Sequence, residues 1–220
     1  MGEPQQIPVP PPKGNSNNCL IFGCIGVGLA MVVLVVGVIG AGIFGLRGFA
    51  AQYTEENPRQ LPITSISEED YAALSQRYDE FITAARANES VVISLSAEDI
   101  NALIRNHPDF REARGHIFVT IENDVMGGEI SYQFPDEFPW IGGRYLNGSA
   151  TFQIEVLSGR PSLFFESIEV AGKVPPEEFT AQFRQQNLLQ DAYQDPQAAQ
   201  VLGRIESIRV VDGRLEIETK

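Results

Sequence analysis

Ala150-Thr151-Phe152-Gln153-Ile154-Glu155-Val156, followed by the turn Ser158-Gly159-Arg160-Pro161, decides the fold class. Apolar and polar side chains alternate along the first seven residues, as in a strand with one buried and one wet face. That alternation belongs to antiparallel sheets; strands of an all-parallel sheet are covered on both faces and read as continuous apolar runs. After the turn the next strand carries Leu163 and Phe165, then Ile168 and Val170. The alternation slips by one near Ser167, which predicts a bulge. Two earlier stretches alternate in the same way. One carries Ile117, Val119 and Ile121; the other carries Ile130, Tyr132 and Phe134 and follows a Gly127-Gly128 break. Together the four predict a meander.

Helical patterns flank this meander. Ser67-Glu68-Glu69-Asp70 has the form of a helix start, and Tyr71, Leu74, Tyr78, Phe81, Ile82 and Ala85 follow at helical spacing up to about Ala87. Val91 to Leu95 is a short β-branched run. Ser96-Ala97-Glu98-Asp99 then caps a second helix with Ile100, Leu103 and Ile104 on its inner face, and His107-Pro108 ends it. Beyond the meander, Pro175-Pro176 opens a helix bearing Phe179 and Phe183 one turn apart, and Asp195-Pro196 starts a shorter one. Ile205 to Val211, Asp212-Gly213 and Arg214 to Thr219 read as a terminal hairpin, Asp-Gly being a favoured two-residue turn. The expected fold is α+β over residues 64–220, an antiparallel meander sheet with helices packed on one face.

The N-terminal part is of another kind. Leu20 to Leu46 is a run of 27 residues without a charge. It is long enough for one transmembrane helix, which needs about 20 apolar residues, and longer than the 7–15 residues of a signal-peptide core. Gly37, Ala41 and Gly45 recur every four residues on one face, a candidate surface for helix self-association into a homo-oligomer. Residues 1–19 form a proline-rich tail without the composition for a core, and residues 47–63 a short polar stalk. Lys13 and the terminal amine on one side balance Arg47 and Arg59 on the other, so the positive-inside rule does not set the orientation. A lone N-terminal anchor usually sends its C-terminal domain out of the cytoplasm, so the expected place is a bacterial inner membrane with the domain extracytoplasmic.

Charge and residue inventory narrow the function. The chain carries −13. The first 48 residues hold Lys13 and Arg47 against Glu3, so the remainder carries −14. Such a domain repels phosphates, which argues against nucleic acid as a partner. The two cysteines, Cys19 and Cys24, both lie at the start of the apolar run, so the domain has neither a disulfide framework nor a thiolate zinc site. His107 ends a helix and His116 begins a strand; neither has a nucleophile or metal ligand at a recognisable spacing. Glu166 and Glu169 fall near the expected bulge, where solvated strand faces are commoner than catalytic pairs. No glycine pattern joins a strand to a helix as nucleotide binding requires. The expectation is therefore no catalytic, cofactor or metal site, and no enzyme. Asn88-Glu89-Ser90 and Asn147-Gly148-Ser149 have the form of glycosylation acceptors.

Phe134 to Gly148 is the most unusual stretch, with Phe138, the single tryptophan Trp140, and Tyr145 among prolines and glycines. These aromatics either plug the open end of the sheet, the favoured reading, or contact a partner or lipid. With Phe179 and Phe183 they are the candidate contact residues.

An N-terminal anchor, then Leu95-Ser96-Ala97-Glu98-Asp99-Ile100-Asn101-Ala102-Leu103-Ile104, a long meander, and Val170-Ala171-Gly172-Lys173-Val174-Pro175 before a helix give a family likeness. Over roughly residues 90–220 the chain resembles bacterial membrane-anchored proteins loosely similar to the YpmS-like group, relatives of tubular lipid-binding domains. The resemblance implies an anchored extracytoplasmic domain and, beyond that, a lipid ligand. The 172 residues after the span and tail leave little room for a long acyl tunnel. The leading expectation is a non-enzymatic, membrane-tethered interaction domain. The alternative is a small amphiphile-binding module whose groove lies between the cupped sheet and the Phe179/Phe183 helix, and an enzyme comes third.

Overall fold

The computed structural model describes residues 52–138 and 141–220, without the side chains of residues 178, 179, 182 and 183. The tail 1–19, the expected span 20–46 with Gly37, Ala41 and Gly45, and Trp140 lie outside the described residues. Among the described residues no helix is long and apolar enough to cross a membrane.

Helix α1 (Glu68–Arg86) begins where the sequence places it, with Ser67 accepting from the Asp70 N–H, and buries Leu74, Tyr78, Phe81, Ile82 and Ala85. Strand β1 (Val92–Ser96) leads directly into α2 (Ala97–Asn106). Ser96 and Asp99 form a reciprocal capping box there, satisfying two otherwise orphaned N–H groups. A short 3₁₀ turn, Pro108–Phe110, precedes the meander of β2 (Ile117–Glu122), β3 (Val125–Gln133), β4 (Tyr145–Leu157) and β5 (Arg160–Val170). Helices α3 (Glu177–Arg184) and α4 (Pro196–Leu202) follow, and then the hairpin β6 (Ile205–Val211) and β7 (Arg214–Thr219).

The meander is a four-stranded antiparallel sheet in the order β2-β3-β4-β5. Two features differ from the sequence reading, and a third lies beyond it. Gly127 and Gly128 do not break the chain but lie inside β3, opposite Thr120 and Val119 on one side and Thr151 and Ala150 on the other. Strand β4 begins at Tyr145, so the stretch from Tyr145 to Ser149 is sheet and not loop. The terminal hairpin does not extend the meander; β7 pairs with β1, giving a separate three-stranded sheet, β1-β7-β6. Pairing Val92 with Glu218 is a long-range choice that local periodicity does not encode.

The bulge falls where the alternation slips. Thr151 opposes Ser167 while Phe152 opposes Phe165, so Glu166 is left over. The extra residue keeps Phe165 and Ile168 on the same face despite their odd separation. The inner face therefore reads Ile117, Val119 and Ile121 on β2; Met126, Gly128 and Ile130 on β3; Leu146, Gly148, Ala150 and Phe152 on β4. Strand β5 adds Leu163, Phe165, Ile168 and Val170.

The exposed edge of β2 is closed by a side chain. Asn101 of α2 is buried, donates from Nδ2 to the Val119 carbonyl at 2.7 Å, and accepts from the Val119 N–H at 2.8 Å. An amide thus supplies one step of strand pairing and blunts an edge that would otherwise recruit another chain.

Three apolar clusters fill the space over the inner face. The largest joins α1, α2, β1 and β7. A second sets Leu188 and Leu189 against Phe152, Leu163 and Phe165. The third gathers Tyr53, Phe134, Ile130, Leu146 and Val170 at the opposite end of the same strands.

Candidate functional site

Between these clusters the inner face is incompletely filled. A cavity of about 150 Å³ lies between the meander and a roof made by Tyr78 and Phe81 of α1, Leu95 of β1, Leu103 of α2, Phe110, and Leu215 of β7. Its floor is the inner face itself, and small residues make the room: Gly128 pairs with Ala150, and Gly148 sits between Ile130 and Val170. The lining extends from Phe152 and Phe165 to Leu146 and Val170. On β4 the distance from Leu146 to Phe152 is about 20 Å of strand. A volume this small beneath so long a lining is slender.

The chemistry of the lining is apolar throughout. Glu129, Ser149 and Glu169 border the cavity through their main chains, because alternation turns their side chains to the other face. The Glu129 carboxylate in fact lies 3.7 Å from the Arg59 guanidinium on that face. Tyr78 contributes the one phenol, and its hydroxyl donates to Asp109 at 3.4 Å. Burial, and then the Asp109 charge beside it, pushes that phenol well above the usual range, so it stays neutral. A dry, neutral slot can hold hydrocarbon; apolar cavities of comparable volume stay free of water and admit apolar guests.

A segment expected to be stalk docks beside one end of the sheet. Tyr53 packs with Ile130, Phe134, Leu146 and Val170 on the inner side. Glu55 then pairs with Tyr145 in the plane of the sheet, exchanging both backbone hydrogen bonds at 2.8 and 2.7 Å, where β5 has already ended. Asn57 and Arg59 reach the outer side, where Asn147 holds them. The Asn147 Nδ2 donates to the Glu55 carboxylate and, at 2.9 Å, to the Asn57 carbonyl. Its Oδ1 accepts from the Arg59 N–H at 3.0 Å and from Ser131 Oγ at 2.8 Å. Arg144 adds hydrogen bonds to Thr54 and an ion pair to Glu56 at 3.6 Å. The strap 52–59 thus passes from one face of the sheet to the other. Asn147 is only 1% exposed, so its amide is consumed by folding and this acceptor sequence is closed to modification in the folded domain. Asn88, of the other sequon, sits in an exposed turn.

The other expected residues fall as follows. Phe138 is half-buried, its ring centroid 6.4 Å from that of Phe134. Tyr145 is half-buried and carries the Glu55 pairing through its backbone. Phe179 and Phe183 lie on α3, their side chains outside the described set. His107 is buried and caps the 3₁₀ turn, Nδ1 accepting from the Asp109 N–H at 3.3 Å while Nε2 faces Asp79 at 3.3 Å. His116 stacks edge-on against Tyr132 with Nδ1 at 3.0 Å from the Ser131 carbonyl. Neither histidine lines the cavity. Glu166 and Glu169 are both exposed, Glu166 as the bulge residue. Among the described residues no cluster of three or more histidine, cysteine or acidic side chains is arranged to hold a metal. Sequence reasoning missed the slot, the strap and Asn147. The pair Gly127-Gly128 and the sequence Asn147-Gly148 were the available signals, read as a break between strands and a sequon. No family model, no curated protein and no solved structure matches this chain.

Proposed function

We propose that this is a non-enzymatic, membrane-tethered domain, held outside the cytoplasm at a bacterial inner membrane, that binds a single hydrocarbon chain of an amphiphile. The observation that carries the reading is the slender apolar cavity along the meander, floored by Gly128, Gly148 and Ala150. Its lining offers no base, nucleophile or charged recognition group beyond the neutral Tyr78 phenol, so it suits retention of a chain and not bond chemistry. The ligand is slim because the slot holds only about 150 Å³. The amphiphile's head would stay outside, since nothing in the lining would solvate a charge. The tether expected at Leu20 to Leu46 and the resemblance to relatives of tubular lipid-binding domains point the same way.

A direct test uses the full chain in nanodiscs containing a diazirine-bearing fatty acid. After irradiation, adducts are mapped by peptide mass spectrometry. The expected result is labelling of peptides bearing Ile130 and Gly148 to Phe152, in addition to the expected span. Labelling confined to the span and surface loops would refute the reading.

A further inference from the structure

The cavity is not equally open along its floor. Gly128, Ala150 and Ile168 stand opposite one another on β3, β4 and β5 and form one row across the sheet. All three line the cavity, and all three are only half-buried. On β4 and β5 the rows to either side are closed: Gly148 and Val170 are buried on one, Phe152 and Phe165 on the other. The glycine at 148 leaves no room of its own. A Cβ on it would meet Ile130 Cγ2 at 3.5 Å and Val170 Cγ2 at 3.8 Å, so the methyls of its neighbours already occupy that space. The room is therefore a trough that runs across the strands, with Ile130 and Val170 on one side and Phe152 and Phe165 on the other.

The two ends of the trough differ. At β2 the row stops on Val119, which is buried opposite Gly128, and Asn101 closes the strand edge behind it. At the other end it stops on Ile168, on the outermost strand of the sheet. Backbone contacts cover the edge of that strand at Leu163, whose carbonyl accepts from the Leu188 N–H at 2.8 Å, and at Val170, which exchanges hydrogen bonds with Lys173 at 2.8 and 3.0 Å. Ile168 lies between these two points. It faces the trough because of the bulge. An unbroken ladder continuing from Phe152 opposite Phe165 would set Ser167 opposite Ala150 and turn a hydroxyl inward. The extra residue, Glu166, sets Ile168 there instead and keeps this end apolar.

From Gly128 to Ile168 is two strand spacings, roughly 10 Å. An apolar cavity of about 150 Å³ takes a guest the size of benzene, so the capacity here is about six carbon atoms. A long acyl chain does not fit, but its tip does. We propose that the trough Gly128–Ala150–Ile168 holds only the terminal methyl segment of an alkyl chain, about six carbons, which enters past Ile168 at the β5 edge. The inference rests on the hydrocarbon-binding reading and adds to it which part of the chain is held, along which path, and where the remainder leaves the protein.

Moving the photoreactive group along the chain tests this. Three sixteen-carbon fatty acids carry the diazirine beside the terminal methyl, at mid-chain, and beside the carboxyl. Each is irradiated with the full chain in nanodiscs, and adducts are assigned to residues by tandem mass spectrometry. The terminal probe is expected to label Gly128 and Ala150, the mid-chain probe Ile168 but not Gly128, and the carboxyl-end probe none of the three. Equal labelling of the slot by all three probes would overturn the tip reading while leaving the hydrocarbon site standing. Mid-chain adducts at Leu146 in place of Ile168 would overturn the path past β5. No slot labelling by any probe, with adducts on the expected span showing that probe was present, would overturn the site and the inference together. A phospholipid bearing the terminal diazirine on an acyl chain tells the sources apart. Labelling of Gly128 and Ala150 by it as well as by the free acid supports a tip drawn from bilayer lipid, and labelling by the free acid alone supports a tip taken up from water.

Discussion

Gly128→Ala separates a cavity kept for a ligand from one left by imperfect packing. A Cβ at this position meets the Phe152 ring at 3.4 and 3.9 Å and the Phe118 carbonyl at 3.6 Å, which are ordinary contacts, and its backbone is not in the left-handed region. The methyl therefore fits without displacement and enters the slot. Replacing a glycine inside a strand gains roughly 0.5–1 kcal/mol from the reduced entropy of the unfolded chain. Burying one methyl in a dry cavity adds about 0.8 kcal/mol. The variant is expected to be more stable by about 1–2 kcal/mol, a rise of some 3–6 °C in melting temperature for a domain of this size. The assay is urea unfolding of the full chain followed by the fluorescence of its single tryptophan, paired with diazirine labelling. Labelling should fall as stability rises. Gly127→Ala is the control on the neighbouring residue: its Cβ would stand 2.6 Å from Thr120 Oγ1 and 3.3 Å from the Ala150 carbonyl. That crowding is expected to cost about 1–3 kcal/mol. A Gly128→Ala protein that is destabilised, or that is stabilised and labels undiminished, would refute the reasoning.

Other expectations follow from single contacts. Asn147→Ala leaves the Asn57 carbonyl without its Asn147 partner and the Arg59 N–H with Ser131 Oγ alone, and should cost about 1–3 kcal/mol, with faster hydrogen exchange at Glu55 and Tyr145 reporting a loosened strap. Tyr78 has a raised phenol pKa in the folded state, so its stabilising effect is complete below about pH 10 and is lost as pH rises toward the folded value, because the unfolded phenol ionises first. Tyr78→Phe should accordingly flatten the alkaline limb of a stability–pH curve, and an unchanged limb would place its cause in the other phenols raised by burial, Tyr53 and Tyr193. A C-terminal alkaline-phosphatase fusion should be active and a C-terminal green fluorescent fusion dark if the domain is extracytoplasmic; the reverse pattern would place it in the cytosol. His107→Gln with His116→Gln should leave slot labelling unchanged, and a loss of labelling with an unaltered melt would contradict a site that needs neither imidazole.

The elements that were legible in the sequence are those specified by neighbours in the chain. Ser67 and Ser96 announce α1 and α2 because capping is a three-residue interaction. The strand from Ala150 to Val156 and the slip at Ser167 show because side-chain alternation follows the pleat. Asp212-Gly213 gives the hairpin for the same reason. What was hidden depends on residues far apart. The pairing of Val92 with Glu218, the edge-closing contact of Asn101 with Val119, and the docking of Glu55 on Tyr145 span 126, 18 and 90 positions, and no local pattern encodes them. Gly127-Gly128 was misleading because glycine marks turns far more often than it marks a strand that another side chain approaches. The slot, being an absence of side chains at Gly128 and Ala150, could be seen only after the register placed these residues opposite each other.

Not every small residue on the floor has the same cause, and the difference bears on function. Gly148 is dictated by the sheet itself: a Cβ there would lie 2.9 Å from the Glu169 carbonyl oxygen of β5. That distance is shorter than real Cβ contacts tolerate, so this glycine would be needed with or without a ligand. Gly128 has no such constraint, and Ala150 stands directly opposite it. A strand selected only for packing would place branched residues at both positions, as β2 does with Val119 beside Gly128. Leaving them small forfeits roughly 1 kcal/mol or more at each position. It is concentrated at the two adjacent points that hold the floor down beneath the roof of α1, α2 and β7. Stability given up at a continuous apolar slot, and retained everywhere around it, is the pattern expected where the space has a use.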